Sequence, residues 1–165
     1  MASVQTHICT DTTYIYTLLD GWVYQLTFAY LMTPKIIHYS VADTINDGFV
    51  SSNTQNLLDK YSIIELIHAD CGSQYTSKRF RKLLADHHVI ASYNEPEYPY
   101  DNTQIESYHA CLEREKLYRY KIINLVDAKR LVFEYNYGFY NTYRIHTSID
   151  YLTPNEFEKQ LLLES

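Results

Sequence analysis

The sequence predicts an α/β fold: a five-stranded mixed sheet, an antiparallel meander followed by parallel strands, flanked by helices. Three observations predict it. The first 42 residues hold three β-branched and aromatic segments separated by turn signals. Beyond them, short apolar runs alternate with stretches of helical periodicity. The resulting order is three strands, helix, strand, helix, strand, helix, helix, which places hairpins first and crossover units after them.

Each element has its own signal. Residues 8–16 (ICTDTTYIY) favour a strand, and Leu18-Leu19-Asp20-Gly21 supplies a hairpin turn. Residues 22–31 form the second strand, Thr33-Pro34 breaks it, and residues 35–42 form the third. Asp43 or Thr44 caps a helix through about Lys60, with Phe49, Leu57 and Leu58 inward. Residues 63–68 (IIELIH) are a short apolar strand ending in the loop Ala69-Asp70-Cys71-Gly72. Ser77 caps the next helix, whose Phe80, Leu83 and Leu84 share a face. Residues 89–93 form the last strand, and the proline-containing stretch 94–100 is a loop. A helix then runs from about Asp101 to Tyr120 with Ile105, Tyr108, Leu112 and Leu117 inward. Asp127 caps a final long helix with Leu131, Tyr135 and Phe139 on one face, and a short helix follows from Asn155.

The 165 residues suit one domain, with a core over about 8–121 and a C-terminal helical extension over 127–165. No apolar run is long enough to span a membrane and no secretory signal is visible, so a cytoplasmic location is expected. The three cysteines form no CxxC pair, which argues against structural zinc. A net charge of −6 argues against a dedicated DNA-binding module. It does not exclude an enzyme acting on DNA, because carboxylates that bind a metal lower the net charge while the metal restores positive charge at the site. Basic residues cluster at Lys78, Arg79, Arg81 and Lys82, and again at Arg114, Lys116, Arg119 and Lys121. Each cluster reads as a solvated helix face or as a phosphate contact. The 18 tyrosines read mainly as core-edge residues.

Three acidic residues stand out by position. Asp11 lies inside an apolar strand, where an ionised side chain is costly without a partner. Asp70 follows a buried strand, and Glu106 follows the core position Ile105 in the first turns of a helix. The first and fourth strands of such a sheet are neighbours, which brings Asp11 and Asp70 together with Glu106 approaching from the helix. Converging carboxylates repel, and hard oxygen ligands select Mg²⁺ or Mn²⁺. Read singly, each acid is equally a cap, a turn former or a helix N-terminal charge. His68 reads as a core-edge histidine, His87-His88 as a helix C-terminal feature, and Ser73 and Cys71 have no evident base to make them nucleophiles.

The segments HADCGSQYTS (His68 to Ser77), YDNTQIES (Tyr100 to Ser107) and YNTYRIHTSIDYLTPNEF (Tyr140 to Phe157) resemble the integrase core of insertion-sequence transposases, a ribonuclease H-like fold with retrovirus-like catalytic domains. DTTYI, Asp11 to Ile15, is similar to that family's first acidic motif. Positions 71–105 give 35 residues between Asp70 and Glu106, the interval characteristic of the family. The resemblance runs from about residue 8 to residue 159.

It implies Asp11, Asp70 and Glu106 as a catalytic, metal-binding triad holding two Mg²⁺ or Mn²⁺ ions. It implies cleavage at element ends, then attack by the freed 3′-hydroxyl on target DNA. Gly72, Ser73, Gln74 and Tyr75 match the loop after the second acid, Asp101 and Asn102 the pair before the glutamate helix, and Arg144 and His146 the C-terminal basic segment. Lys78, Asn102, His109, Arg114, Arg144 and His146 are the candidates for DNA contact. The family also implies a homodimer, an N-terminal DNA-binding region absent from this chain, and association with the bacterial nucleoid. Several positions depart from the pattern: Tyr30 stands where Asp is frequent, Pro34 where Arg is, Glu97-Tyr98 where Gly-Asn is, and Glu113 where Lys is. Two alternatives stay open, a ribonuclease H-like nuclease that does not join strands, and a catalytically silent core with an assembly role.

Overall fold

A computed structural model describes residues 6–93 and 102–163. Strands β1 (His7–Thr17), β2 (Gly21–Tyr30) and β3 (Ile36–Ala42) form an antiparallel meander. Helix α1 (Asp47–Lys60) leads to β4 (Leu66–Ala69), which pairs parallel with β1. Helices α2 (Ser73–Thr76) and α3 (Lys78–Asp86) lead to β5 (Ile90–Tyr93), parallel to β4. The sheet order is β3-β2-β1-β4-β5, the mixed arrangement expected from the element sequence. Helix α4 (Thr103–Glu115), a 3₁₀ turn (Leu117–Arg119), α5 (Leu125–Tyr135), a π-helical turn (Asn136–Tyr140), a second 3₁₀ turn (Thr147–Ile149) and α6 (Pro154–Leu163) complete it.

Alternation along the central strands divides the interior between the two sheet faces. Cys9, Ile15, Val23 and Ala29 pack with Ile105, Tyr108 and Leu112 of α4 and Leu131, Val132 and Tyr135 of α5. Ile8, Leu26 and Phe28 point the other way, onto Val50 and Leu57 of α1 and Phe80 and Leu84 of α3. The first hairpin turns at Gly21, whose φ of +70° favours glycine. Its neighbour Asp20 accepts from the Leu125 N–H at 2.7 Å, so the turn also holds the start of α5.

Several boundaries differ from the sequence expectation, each for a local reason. The cap of α1 is Asn46 rather than Asp43 or Thr44, because the Asn46 side chain accepts from the Phe49 N–H at 2.8 Å. Strand β4 begins at Leu66 rather than Ile63, which is half exposed and unpaired with the sheet. Residues 73–76 form a helical turn where a loop was expected. Helix α4 ends at Glu115, five residues before Tyr120, where Lys116 leaves helical geometry at φ −127°. Asn124, not Asp127, caps α5: its side chain accepts from the Asp127 N–H, while Asp127 accepts from the Ile123 N–H. The wider π turn then rotates Tyr140 into the core in place of Phe139, which is exposed. The expected 94–100 loop, including Glu97-Tyr98, and the helix start at Asp101 lie outside the described residues.

Candidate active site

The parallel pairing of β1 and β4 matches Cys9 with His68 and Thr10 with Ala69. Asp11 and Asp70 are the next residues on each chain. Strand β4 ends there, so Asp70 leaves the sheet beside a strand that continues. This is the carboxyl end of a parallel pair, where open α/β sheets place their ligands. Asp11 is on the face covered by α4, as are Cys9 and Ile15. Helix α4 seats Ile105 in that core, which leaves Glu106 exposed in its first turn.

The electrostatics tie the three acids together. Burial, followed by the negative charges of Asp70 and Glu106, pushes the Asp11 carboxyl up to about 6, against one backbone hydrogen bond that favours its charged form. Asp70 is oriented by the Gly72 N–H, which donates to its Oδ1 at 2.9 Å. A Cβ at residue 72 would lie 2.8 Å from that same oxygen, so a side chain there would push the Asp70 carboxylate aside. Among the described residues no three His, Cys, Asp or Glu side chains are close enough together to hold a metal ion as they stand. The donor set nonetheless fits a hard divalent cation: three carboxylates, mutually repelling, with no cationic side chain ion-paired to Asp70 or Glu106 among the described residues.

His109 forms the floor of this site. It is 7% exposed; Nδ1 stands 3.7 Å from Asp11 Oδ2, and Nε2 is 3.2 Å from Thr27 Oγ1. Burial lowers its pKa to about 4, so the ring is neutral. Thr27 is the direct cross-strand partner of Asp11 on β2. Thr27 and Gln25, both fully buried, were not singled out from sequence. The available signal was polar residues alternating through an otherwise apolar strand. Tyr75 closes the opposite face, its hydroxyl between Thr10 and Thr12 at 3.5 and 3.2 Å.

The other candidates are dispersed. Lys78 is exposed at the first position of α3. Asn102 precedes α4, 3% exposed, with its Oδ1 unpartnered among the described residues. Arg114 is exposed, its guanidinium on Ala110 O and Cys111 Sγ of its own helix. Arg144 lies against Glu115, Cys111 and His146, and over the Tyr140 ring. His146 packs edge-on to Tyr140 and is lowered to about 4 by burial and the Arg144 charge. Glu113 accepts from Thr13 and Tyr118. Tyr30 and Lys35 both contact Glu158 of α6. His68 is a buried residue hydrogen-bonded to Ser92 across the β4–β5 pair.

The sheet order β3-β2-β1-β4-β5, with helices on both faces, defines a ribonuclease H-like fold. The catalytic core of bovine immunodeficiency virus integrase superposes with a TM-score of 0.70 at 16% identity, covering 98% of this chain and 99% of that one. The chain belongs to the integrase core domain family, whose pattern matches residues 2–99, with a second integrase core pattern matching residues 87–154. The transposase of insertion sequence element IS904 from Lactococcus lactis subsp. lactis (strain IL1403) is 31% identical over 151 residues, 90% of this chain and 59% of that protein. A Lactococcus lactis subsp. lactis protein named ATP-dependent protease is 40% identical over 88 residues, 53% of this chain and 28% of that protein. The chain thus spans little more than half of its transposase relative. No described helix is long and apolar enough to cross a membrane.

Proposed function

We propose that this chain is the catalytic core of a transposase that cleaves DNA and transfers the cut strand, with Asp11, Asp70 and Glu106 as its acidic triad. The support for the proposal is electrostatic: the negative charges of Asp70, just after β4, and of Glu106, on α4, both act on the Asp11 carboxyl of β1 and raise its proton affinity. Mg²⁺ or Mn²⁺, two ions in the active complex, would be held by these residues and would supply activation of the attacking oxygen and stabilisation of the departing one.

The remaining work falls to the chain itself. Gly72 orients Asp70 through its N–H. Burial of Ile105 fixes the turn of α4 that presents Glu106. Cys9 is no activated nucleophile, since its thiol is pushed up to about 12 by burial, with the Asp11 charge adding to it. The proposed chemistry is direct in-line attack by water or a 3′-hydroxyl, without a covalent enzyme intermediate. Exposed Lys78 and Arg114 are the strongest phosphate contacts of the six candidates. Arg144 and His146 serve instead to join the C-terminal segment to α4. A homodimer, sequence-specific end recognition by a region outside this chain, and nucleoid association complete the proposal.

The test is a strand-transfer assay with pre-cut ends, comparing the wild type with Asp70→Asn at equal folded content. Loss of both cleavage and joining supports the triad; retained metal-dependent activity contradicts it. Cleavage without joining by the wild type would favour a plain nuclease. Inertness of the wild type would favour the silent core suggested by Glu113.

A further inference from the structure

The seam between β1 and α4 continues beyond the acids as a groove of aromatic rings. Strand β4 stops at Ala69, opposite Thr10, so no described strand covers the edge of β1 past that point. Thr13, Tyr14 and Tyr16 of β1, with Trp22 of β2, form one wall. Leu117, Tyr118, Tyr120 and Lys121, which follow α4, form the other. The walls meet at the far end, where the Leu18 and Leu19 N–H groups donate to Ile122 O and Ile123 O at 3.0 and 2.8 Å. Glu113 of α4 spans them, accepting from the Thr13 hydroxyl at 3.4 Å and from the Tyr118 hydroxyl at 3.0 Å. The space between is about 530 Å³, within the range of small-ligand sites.

On the reading of Asp11 and Glu106 as the place of DNA chemistry, we propose that this groove holds unpaired bases of a single DNA strand that passes the acids. Thr13 is two residues from Asp11 on the same face of β1, about 7 Å along the strand. Glu113 is two turns from Glu106, about 10 Å along α4. The groove and the acids therefore share one seam.

Two properties choose the occupant. The first is exposed aromatic surface that is already ordered. Tyr14, Trp22 and Tyr118 are 61%, 57% and 73% exposed. Tyr14 stands edge-on to Tyr24 and Trp22, and Tyr16 edge-on to Trp22, so the strand rings are held in place by one another. Rings fixed before binding lose little freedom when a base stacks on them. The second is local charge. The protein carries −6 overall, yet residues 116–121 (KLYRYK) interleave basic and aromatic side chains with no acid among them. Lys116 is held by Glu134, but no carboxylate pairs with Arg119 or Lys121 among the described residues. Phosphates are attracted to that segment while the rings meet the bases. A duplex keeps its base faces stacked and offers the rings nothing. A second copy of this acidic chain would match the rings but leave the cations without a defined partner.

Trp22 is the only tryptophan, so its fluorescence reports on the groove directly. Metal-free protein is titrated at low salt with oligothymidylate and with a duplex of equal length. Saturable quenching by the single strand is expected, with the duplex binding about tenfold more weakly. Tyr118→Ala should weaken single-strand binding by about tenfold. Lys121→Ala should lower the slope of log affinity against log salt by about 0.7. Absence of quenching, an equal response to duplex, or wild-type behaviour of either folded variant would overturn the proposal. So would quenching that grows with protein concentration alone, accompanied by a dimer in sedimentation, which would make the groove a contact between copies. A wild type that is quenched by the single strand yet neither cleaves nor joins DNA strikes the proposed function and leaves the groove; an active wild type without quenching strikes the groove alone.

Discussion

The two ends of helix α4 treat negative charge in opposite ways. At its start, Glu106 joins Asp11 and Asp70 with no cation ion-paired to Glu106 or Asp70 among the described residues, and burial with repulsion makes Asp11 harder to ionise. At its end, Glu115 meets the Arg144 guanidinium through Nε at 2.9 Å and Nη2 at 2.8 Å, and accepts from the Tyr135 hydroxyl at 2.7 Å. Burial opposes its charge, but these hydrogen bonds outweigh it and hold the Glu115 carboxyl below the usual range. Nine residues, about 13 Å of helix, separate the two glutamates. A charge compensated within the fold stabilises it. A cluster left uncompensated costs stability in the metal-free protein and is available for an external cation.

Exchanging the roles breaks the comparison most strongly. Glu106→Gln should lower strand transfer by about a thousandfold or more with the fold intact, in an assay normalised to folded protein. Glu115→Gln should instead lower stability and leave the chemical step nearly unchanged. Arg144→Ala leaves Glu115 half-buried without its partner and should cost about 2 kcal/mol in denaturant unfolding.

The pH dependence sharpens the contrast because the signs differ. Asp11 is raised from 3.8 to about 6, so its stabilising share is present below about 4 and is lost as pH rises through 6. Glu115 is lowered, so its share is present above 4.5 and is lost as pH falls through its folded value. Asp11→Asn should therefore raise metal-free stability at pH 8 by on the order of 1–2 kcal/mol and flatten the profile between pH 4 and 6. The smallest effect belongs to the exposed Lys82–Asp86 pair, one helical turn apart in α3. Lys82→Ala should change stability by less than about 0.5 kcal/mol in the same unfolding experiment.

Much of this was legible in the sequence because strand pattern and spacing are local. β-branched runs, Asp20-Gly21 and the Ser77 cap fixed the meander and α3 closely. The proximity of Asp11 and Asp70 followed from strand order alone. Caps were harder: Asn46 and Asn124 compete with nearby acids, and only backbone geometry decides which side chain reaches the free N–H groups. The π turn was invisible because one extra residue per turn leaves no compositional mark, and it exchanged Phe139 for Tyr140. Charge bookkeeping was also hidden. Arg114 and Arg144 look alike in sequence, yet one faces solvent and the other is engaged by Glu115. Gln25 and Thr27 were overlooked because a polar residue in a strand is ordinarily on the wet face.

The most direct measurement is the anomalous scattering of Mn²⁺ in crystals soaked with the ion. A shared acidic site predicts Mn²⁺ density about 2.2 Å from carboxylate oxygens of Asp11 and Asp70, with Glu106 drawn into ligation at the same place. Density elsewhere, or none beside Asp11 and Asp70 with Glu106 turned away under saturating Mn²⁺, would contradict it.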